Sequence, residues 1–232
     1  MTAPVRSRAQ FYEDLGNASQ AFHALIDTIP GDAEVLELGC GADALAFDLA
    51  ARGVGVLGVS TDIDDVERAR HEAERRELST ARFAEMAPET LLLPDACCDV
   101  VVGVSSLHRL DIARTYAEMA RVLRPGGRGM LLEALGHNPV INAYRRRTLH
   151  RRDRFEHPIR RDEIDLARRW FDSVRVETHH LLDLAAVPVG DHLAGRAARS
   201  VLRGADRLLL RPSSPLRWHA WIAVVELEGP RP

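Results

Sequence analysis

Lysine is absent from this chain of 232 residues, and all 31 of its Lys+Arg positions are arginine. Without an internal primary amine, a lysine Schiff base and a P-loop phosphate lysine are both excluded. Cysteine is scarce as well. Cys40, Cys97 and Cys98 form no C-x-x-C pair, so they build neither a disulfide framework nor a cysteine-rich zinc site. His179-His180 has no third ligand at metal spacing, and no metal is expected. No run approaches the roughly 18 to 20 apolar residues that cross a bilayer. The opening MTAPVRSRAQ lacks the apolar stretch of a signal peptide, so the expected location is cytoplasmic. Aromatics are only 5% of the chain and form no ladder beside the arginines, which argues against a nucleic-acid partner read by base stacking.

What is present has ordinary globular proportions, 46% hydrophobic and 28% charged, and the length suits one α/β domain with elaborations. The charge is uneven. Residues 1–136 hold 13 Arg against 22 acids, and residues 137–232 hold 18 Arg against 12. The stretch from Arg145 to Arg175 alone carries 11 Arg and 6 acids. Such a block marks either an anionic partner or a solvated, ion-paired face, and the interleaved acids favour the second. In 193–211, arginines at 196, 199, 203 and 207 form one helical stripe opposite an apolar one. That pattern fits a helix packed on its own domain, with peripheral membrane contact as the alternative.

Hydrophobic period orders the chain. Residues 9–29 read as a helix ending at Pro30-Gly31, and AEVLELG (33–39) as a buried strand. A helix over 43–52 follows, with Asp43 placed to cap it. VGVLGVS (54–60) is a second strand and 64–78 a charged amphipathic helix in which Glu67 and Arg70 stand three apart. Further strands are expected at 81–86, 99–106, 128–134, 173–180 and 218–228. Helices are expected at 111–123 (stopped by Pro125-Gly126-Gly127), 162–171 and 191–211, with a short helix and loop in 136–161. Strands and helices alternating at this pitch predict an α/β fold: a doubly wound, Rossmann-like, mostly parallel sheet with helices on both faces. The whole of 1–232 reads as one domain, with a helical cap (1–32), a core (33–135) and later insertions carrying the last two strands (136–232).

Val35-Leu36-Glu37-Leu38-Gly39-Cys40-Gly41-Ala42-Asp43-Ala44 places two glycines after the first strand, where backbone can approach a ligand closely. The spacing also satisfies a dinucleotide fingerprint. Charge separates the options, because a pyrophosphate on the helix N-terminus would meet Asp43. S-adenosylmethionine carries no phosphate and is cationic at its sulfonium and ammonium, which Glu37 and Asp43 favour.

VLELGCG, GVSTDIDDVERAR (58–70), LLLPDACCDVVVGVSSLHRL (91–110) and ARVLRPGGRGMLLEA (120–134) follow one another in order. Together they resemble the class I S-adenosylmethionine-dependent methyltransferases of the small-molecule type, over residues 33–135, with an antiparallel last strand implied. The resemblance implies that Glu37, Gly39, Cys40 and Gly41 hold the methionine part of S-adenosylmethionine. It aligns Ser60 with the ribose site, Asp62 beside it, and Ala87, after Met86, with the adenine site; Thr61, Met86 and Ser105 are further cofactor-binding candidates, and Tyr12 is placed to cover the cofactor. Ser60 stands where the family has an acid that takes both ribose hydroxyls, Ala87 where an Asp meets the adenine amine, and Asp43 where a third glycine is usual. A hydroxyl cannot accept two bonds as a carboxylate does, and Asp62 is the nearest replacement.

Methyl transfer is an in-line displacement in which the protein aligns the acceptor and excludes water, with a general base for O- or N-acceptors. His108, after the fourth strand, and His137 and His157, after the fifth, are the candidate bases; each also suits a structural hydrogen bond. The expected substrate is a small metabolite, apolar or anionic. The competing functions are non-methylating chemistry on the same fold, a non-catalytic binding subunit, and NAD-dependent oxidoreduction.

Overall fold

The computed structural model describes residues 16–42, 44–139, 141–143, 157–182 and 193–231. Seven strands form one sheet: β1 (Glu34–Leu38), β2 (Gly55–Ser60), β3 (Ala81–Glu85), β4 (Cys98–Val104), β5 (Leu123–Ala134), β6 (Phe171–His179) and β7 (Ile222–Pro230). Their spatial order is β3-β2-β1-β4-β5-β7-β6. The first five strands pair in parallel, while β7 runs antiparallel to both β5 and β6. The order reverses between β1 and β4, and a doubly wound sheet opens its ligand crevice beyond the strand ends at such a switch point.

Six helices connect the strands among the described residues: α1 (Asn17–Ile26), α2 (Ala46–Ala51), α3 (Ile63–Arg75), α4 (Ile112–Val122), α5 (Arg161–Leu166) and α6 (Leu193–Leu209). Alternate residues of the central strands feed opposite faces. Val35, Val100, Val102, Met130 and Leu132 pack with Phe22 and Ile26 of α1 and with Phe47 of α2. Leu36, Leu38, Val101 and Leu131 pack with Tyr116 and Met119 of α4 and with Ile164 of α5. Both faces are covered, as apolar strands of this kind require. No helix among the described residues is long and apolar enough to cross a membrane.

Four local expectations are corrected. The Leu123–Gly127 segment, expected to end a helix before a strand at 128, already belongs to β5. Its Pro125-Gly126 is accommodated as an irregularity, because the β4–β5 pairing skips from Cys98↔Leu123 to Val100↔Arg128. The helix expected over 162–171 stops at Leu166 and tightens into a 3₁₀ turn, Ala167–Arg169, before Phe171 opens β6 in the core. The last strand starts at Ile222 rather than at 218. Pro215 pre-sets a 3₁₀ turn, Pro215–His219, whose N-terminus is capped by the Ser214 hydroxyl accepting from Leu216 N–H at 3.3 Å. Finally, α2 begins at Ala46 rather than 43. The capping role of Asp43, the segment 1–15 and most of the 136–156 insertion lie outside the described residues.

Candidate functional site

The loop after β1 is fastened from both sides. Gly39 adopts φ 82°, a left-handed conformation that glycine takes at little cost. The N–H groups of Gly39 and Cys40 both donate to the Val59 carbonyl of β2, at 2.8 and 3.0 Å. Glu37 is buried, and its two oxygens accept the N–H groups of Leu45 and Ala46 at 2.8 and 2.9 Å. A Rossmann pyrophosphate would rest on these N-terminal amides of α2, and an internal carboxylate already holds them. On the other side, Oδ1 of Asp65 lies 3.4 Å from the point a Cβ on Gly41 would occupy. Asp62, Asp64 and Asp65 crowd the start of α3, balanced there by Arg68 at 2.6 Å from Asp65. This rim repels phosphate and attracts a cation.

Ser60 and Asp62, the candidate ribose residues, are both engaged locally. The Ser60 hydroxyl accepts the Asp62 N–H at 3.1 Å, and its carbonyl accepts the Met86 N–H at 2.9 Å. Asp62 is the N-cap of α3, its Oδ1 accepting from Asp64 N–H at 2.9 Å. Thr61 is exposed, while Met86 and Ala87 are half-buried at the end of β3. These residues and Gly39–Gly41 therefore line the carboxyl ends of three adjacent strands, spaced roughly 5 Å apart. Ser105 sits at the end of β4, on the other side of β1, with φ 47° and its N–H on the Leu132 carbonyl at 2.8 Å. Tyr12 lies outside the described residues. A phosphate-free, cationic cofactor fits this donor set, because the helix amides are spent internally and the rim is acidic. S-adenosylmethionine meets both conditions; a dinucleotide meets neither.

Sequence reasoning missed Glu133, which is buried at the end of β5. Its Oε1 accepts the N–H of Ser106 (2.8 Å), the hydroxyl of Ser106 (3.2 Å) and the N–H of Leu107 (3.0 Å). This carboxylate holds the 3₁₀ turn Leu107–Arg109, which carries His108. The nearby Tyr116 hydroxyl is buried without a hydrogen-bond partner among the described residues. Burial, then the Glu133 and Glu163 charges, push its pKa well above the ordinary phenol range. A lone acid inside the otherwise apolar GMLLEAL run was the available signal for Glu133.

The three candidate histidines converge on one edge of the fold. The His157 N–H approaches the His108 carbonyl at 3.4 Å, and a bridge between Leu135 and Ile159 ties the segment carrying His157 to the end of β5. His157 Nε2 lies 3.0 Å from Oε1 of Glu163, whose other oxygen accepts the Arg160 N–H at 2.7 Å. In His137, Nε2 accepts the Arg161 N–H at 3.0 Å. Burial, then repulsion from Arg160, lowers its pKa below 6.5. That bond uses the lone pair a base would need.

Comparison with known proteins places this geometry. A family model described as a methyltransferase domain matches residues 36–131. An S-adenosyl-L-methionine-dependent Diels-Alderase of Talaromyces variabilis is 35% identical over 109 residues, covering 45% of this chain and 37% of that protein. The 27-O-demethylrifamycin SV methyltransferase of Amycolatopsis mediterranei is 39% identical over 97 residues, covering 40% of this chain and 36% of that protein. The chain thus spans little more than a third of the length of these curated relatives. The crystal structure of the YcgJ protein of Bacillus subtilis superposes with a TM-score of 0.62 at 16% identity, covering 92% of this chain and 99% of that one, a likeness of fold. Over residues 36–131 the chain therefore matches a methyltransferase domain and is similar to S-adenosylmethionine-dependent relatives, and its strand order gives the Rossmann-like fold of the solved neighbour.

Proposed function

We propose that this protein transfers the methyl group of S-adenosylmethionine to a small-molecule acceptor. The observation that carries the reading is the Glu37 carboxylate on the Leu45 and Ala46 amides, which leaves the helix terminus no anion site and the loop suited to a cation. When bound, the cofactor supplies an electrophilic methyl group on sulfur. The chain's own contribution is positional. Gly39–Gly41 offer backbone to the methionine end, and Thr61 and the Asp62 oxygen not used to cap α3 offer contacts to the ribose beside Ser60, whose hydroxyl accepts the Asp62 N–H. Met86 and Ala87 flank the adenine.

For an acceptor that must lose a proton, His157 is the better-placed base. A Glu163-bound Nε2–H leaves Nδ1 as the free acceptor, the arrangement by which a carboxylate orients a catalytic imidazole. His108 is its neighbour across the 3.4 Å backbone contact. His137 is assigned to holding the start of α5. A second reading is non-methylating chemistry on the same cofactor fold. The absence of a ribose-binding acid at Ser60 and the Diels-Alderase relative support it.

Calorimetry with S-adenosylmethionine, S-adenosylhomocysteine and NAD tests the cofactor. Micromolar binding of the first two, without NAD, is expected, and no binding of either would end the proposal. Transfer of a labelled methyl group across an acceptor panel then separates the two readings. Binding without any transfer favours the second.

A further inference from the structure

Away from the glycine loop, three guanidinium groups gather around one carboxylate and one indole. Asp165 accepts from Arg161 Nε at 3.3 Å and from Arg168 Nε at 3.4 Å. Arg161 and Arg217 both lie against the Trp218 ring, with Cζ 5.2 and 4.6 Å from its centroid. Arg217 is half-buried and makes no ion pair among the described residues. Three cations thus share one anion, a local excess of two positive charges. The excess is costly: burial, then repulsion from Arg161 and Arg168, lowers the pKa of the Arg217 guanidinium.

The cluster is built rather than incidental. Trp218 is 8% exposed, so its ring is fixed by the core, and the guanidiniums are held against a rigid surface. The turn that presents Arg217 and Trp218 is tied to the loop after β5, where Asn138 Nδ2 donates to the His219 carbonyl at 2.8 Å. Arg161 is tied to the same loop through His137. This patch therefore adjoins the carboxyl end of β5, two strands from the glycine loop of β1, on the rim where open α/β sheets receive ligands. Planar guanidiniums in such numbers match a tetrahedral oxyanion better than a single carboxylate, because a doubly charged group neutralises the excess and accepts from more than one fork.

We propose that Arg161, Arg168 and Arg217, backed by Trp218, form a binding site for the phosphate group of a phosphate monoester, the acceptor substrate of the enzyme. This assignment rests on the methyltransferase reading, whereas the anion site itself does not. The test uses tryptophan fluorescence at constant ionic strength, with inorganic phosphate, phenyl phosphate and chloride as probes. Phosphate and phenyl phosphate are expected to give saturable changes in the millimolar range or tighter, the monoester at least as tight, and chloride none. Arg217→Gln should weaken phosphate binding about tenfold, the loss of one charge-assisted contact. The more exposed Arg168→Gln should act in the same direction, and both should leave S-adenosylhomocysteine affinity by calorimetry within about twofold, well under the tenfold set by one such contact. A response no different from chloride, or one unchanged in a folded variant, overturns the site. Binding of inorganic phosphate but not of the monoester overturns its assignment to the acceptor. Failure of S-adenosylhomocysteine to bind a protein that still binds phosphate removes the acceptor assignment through the parent reading alone.

Discussion

Glu37 and Glu133 are buried acids near the carboxyl ends of β1 and β5, flanked by apolar side chains, and each spends its charge on backbone amides of a neighbouring loop. Glu37 fastens the start of α2 and Glu133 the turn before α4. A carboxylate accepting buried N–H bonds is worth more than a neutral acceptor, because removing it strands the donors. Glu37→Gln keeps one acceptor atom and turns its carboxamide NH2, a donor, toward the second backbone N–H, so a loss of about 2 kcal/mol is expected. It should appear as a lower urea midpoint at unchanged slope. The glycine loop loses its anchor with it, so S-adenosylhomocysteine should bind more weakly; a variant matching the parent in both measurements would remove Glu37 from this role. His137 gives a second prediction at this scale. Its pKa is depressed below 6.5 by burial and by Arg160, so the unfolded chain binds its proton more readily than the fold does. The stability contributed by the neutral ring is complete above about pH 6.5 and is lost as pH falls below that value. His137→Gln should flatten that part of the profile, read as the difference in urea midpoint between pH 7.5 and 5.5. An identical pH slope in both proteins would refute it.

Elements differ in how plainly the sequence announces them. Where apolar residues set the period, as in VLELG, VGVLGVS and DVVVGVSS, the strands and their parallel pairing were legible, and so was the Glu67–Arg70 pair on α3, found at 2.7 Å. The misses share a cause, since tertiary contacts decided them and local signals did not. Pro125-Gly126 reads as a stop, yet β5 pairs with β4 on both sides of the irregularity, and a Cβ on Gly127 would stand 2.9 Å from the Asp99 and Arg124 carbonyls, so the close passage needs glycine. Trp170-Phe171 reads as the end of a helix, yet Phe171 pairs with Pro230 and begins a strand. The glycine loop was legible from its residues, but the commitment of Glu37, Ser60 and Asp62 to backbone was not, because it depends on which amides the fold brings near. Gly103 shows the same dependence at the β4 turn. A Cβ there would overlap Ser106 Oγ and stand 3.0 Å from Leu131 Cδ2. Gly103→Ala should therefore cost about 2 kcal/mol through forced displacement of the Glu133-bound turn. Since the nearest atom is the serine hydroxyl, adding Ser106→Ala should recover part of the loss. A double-mutant cycle by urea unfolding measures the coupling, and strict additivity would refute the contact as the cause.

At the scale of the molecule, the charge division of the sequence does not coincide with a structural one. The acidic half and the arginine-rich half meet within one sheet, because β7 of the second inserts between β5 of the first and β6. Val224 and Ile222 belong to the same apolar cluster as Val35 and Val100, and Val225 and Leu227 share the opposite cluster with Leu36 and Val101. We expect residues 136–232 to have no core of their own, so that the chain unfolds as one cooperative unit. The tryptophans make this measurable: Trp170, Trp218 and Trp221 all lie in the later half, so fluorescence reports β6, β7 and their turn alone, whereas far-ultraviolet dichroism averages the whole chain. In urea the two signals should trace one transition with a common midpoint and slope, the behaviour of a single two-state domain. Fluorescence that falls at lower urea than dichroism would mean that the β6–β7 edge opens separately. The Arg217 cluster would then belong to a detachable flap, and its apposition to the carboxyl end of β5 would no longer follow from the rigidity of the sheet.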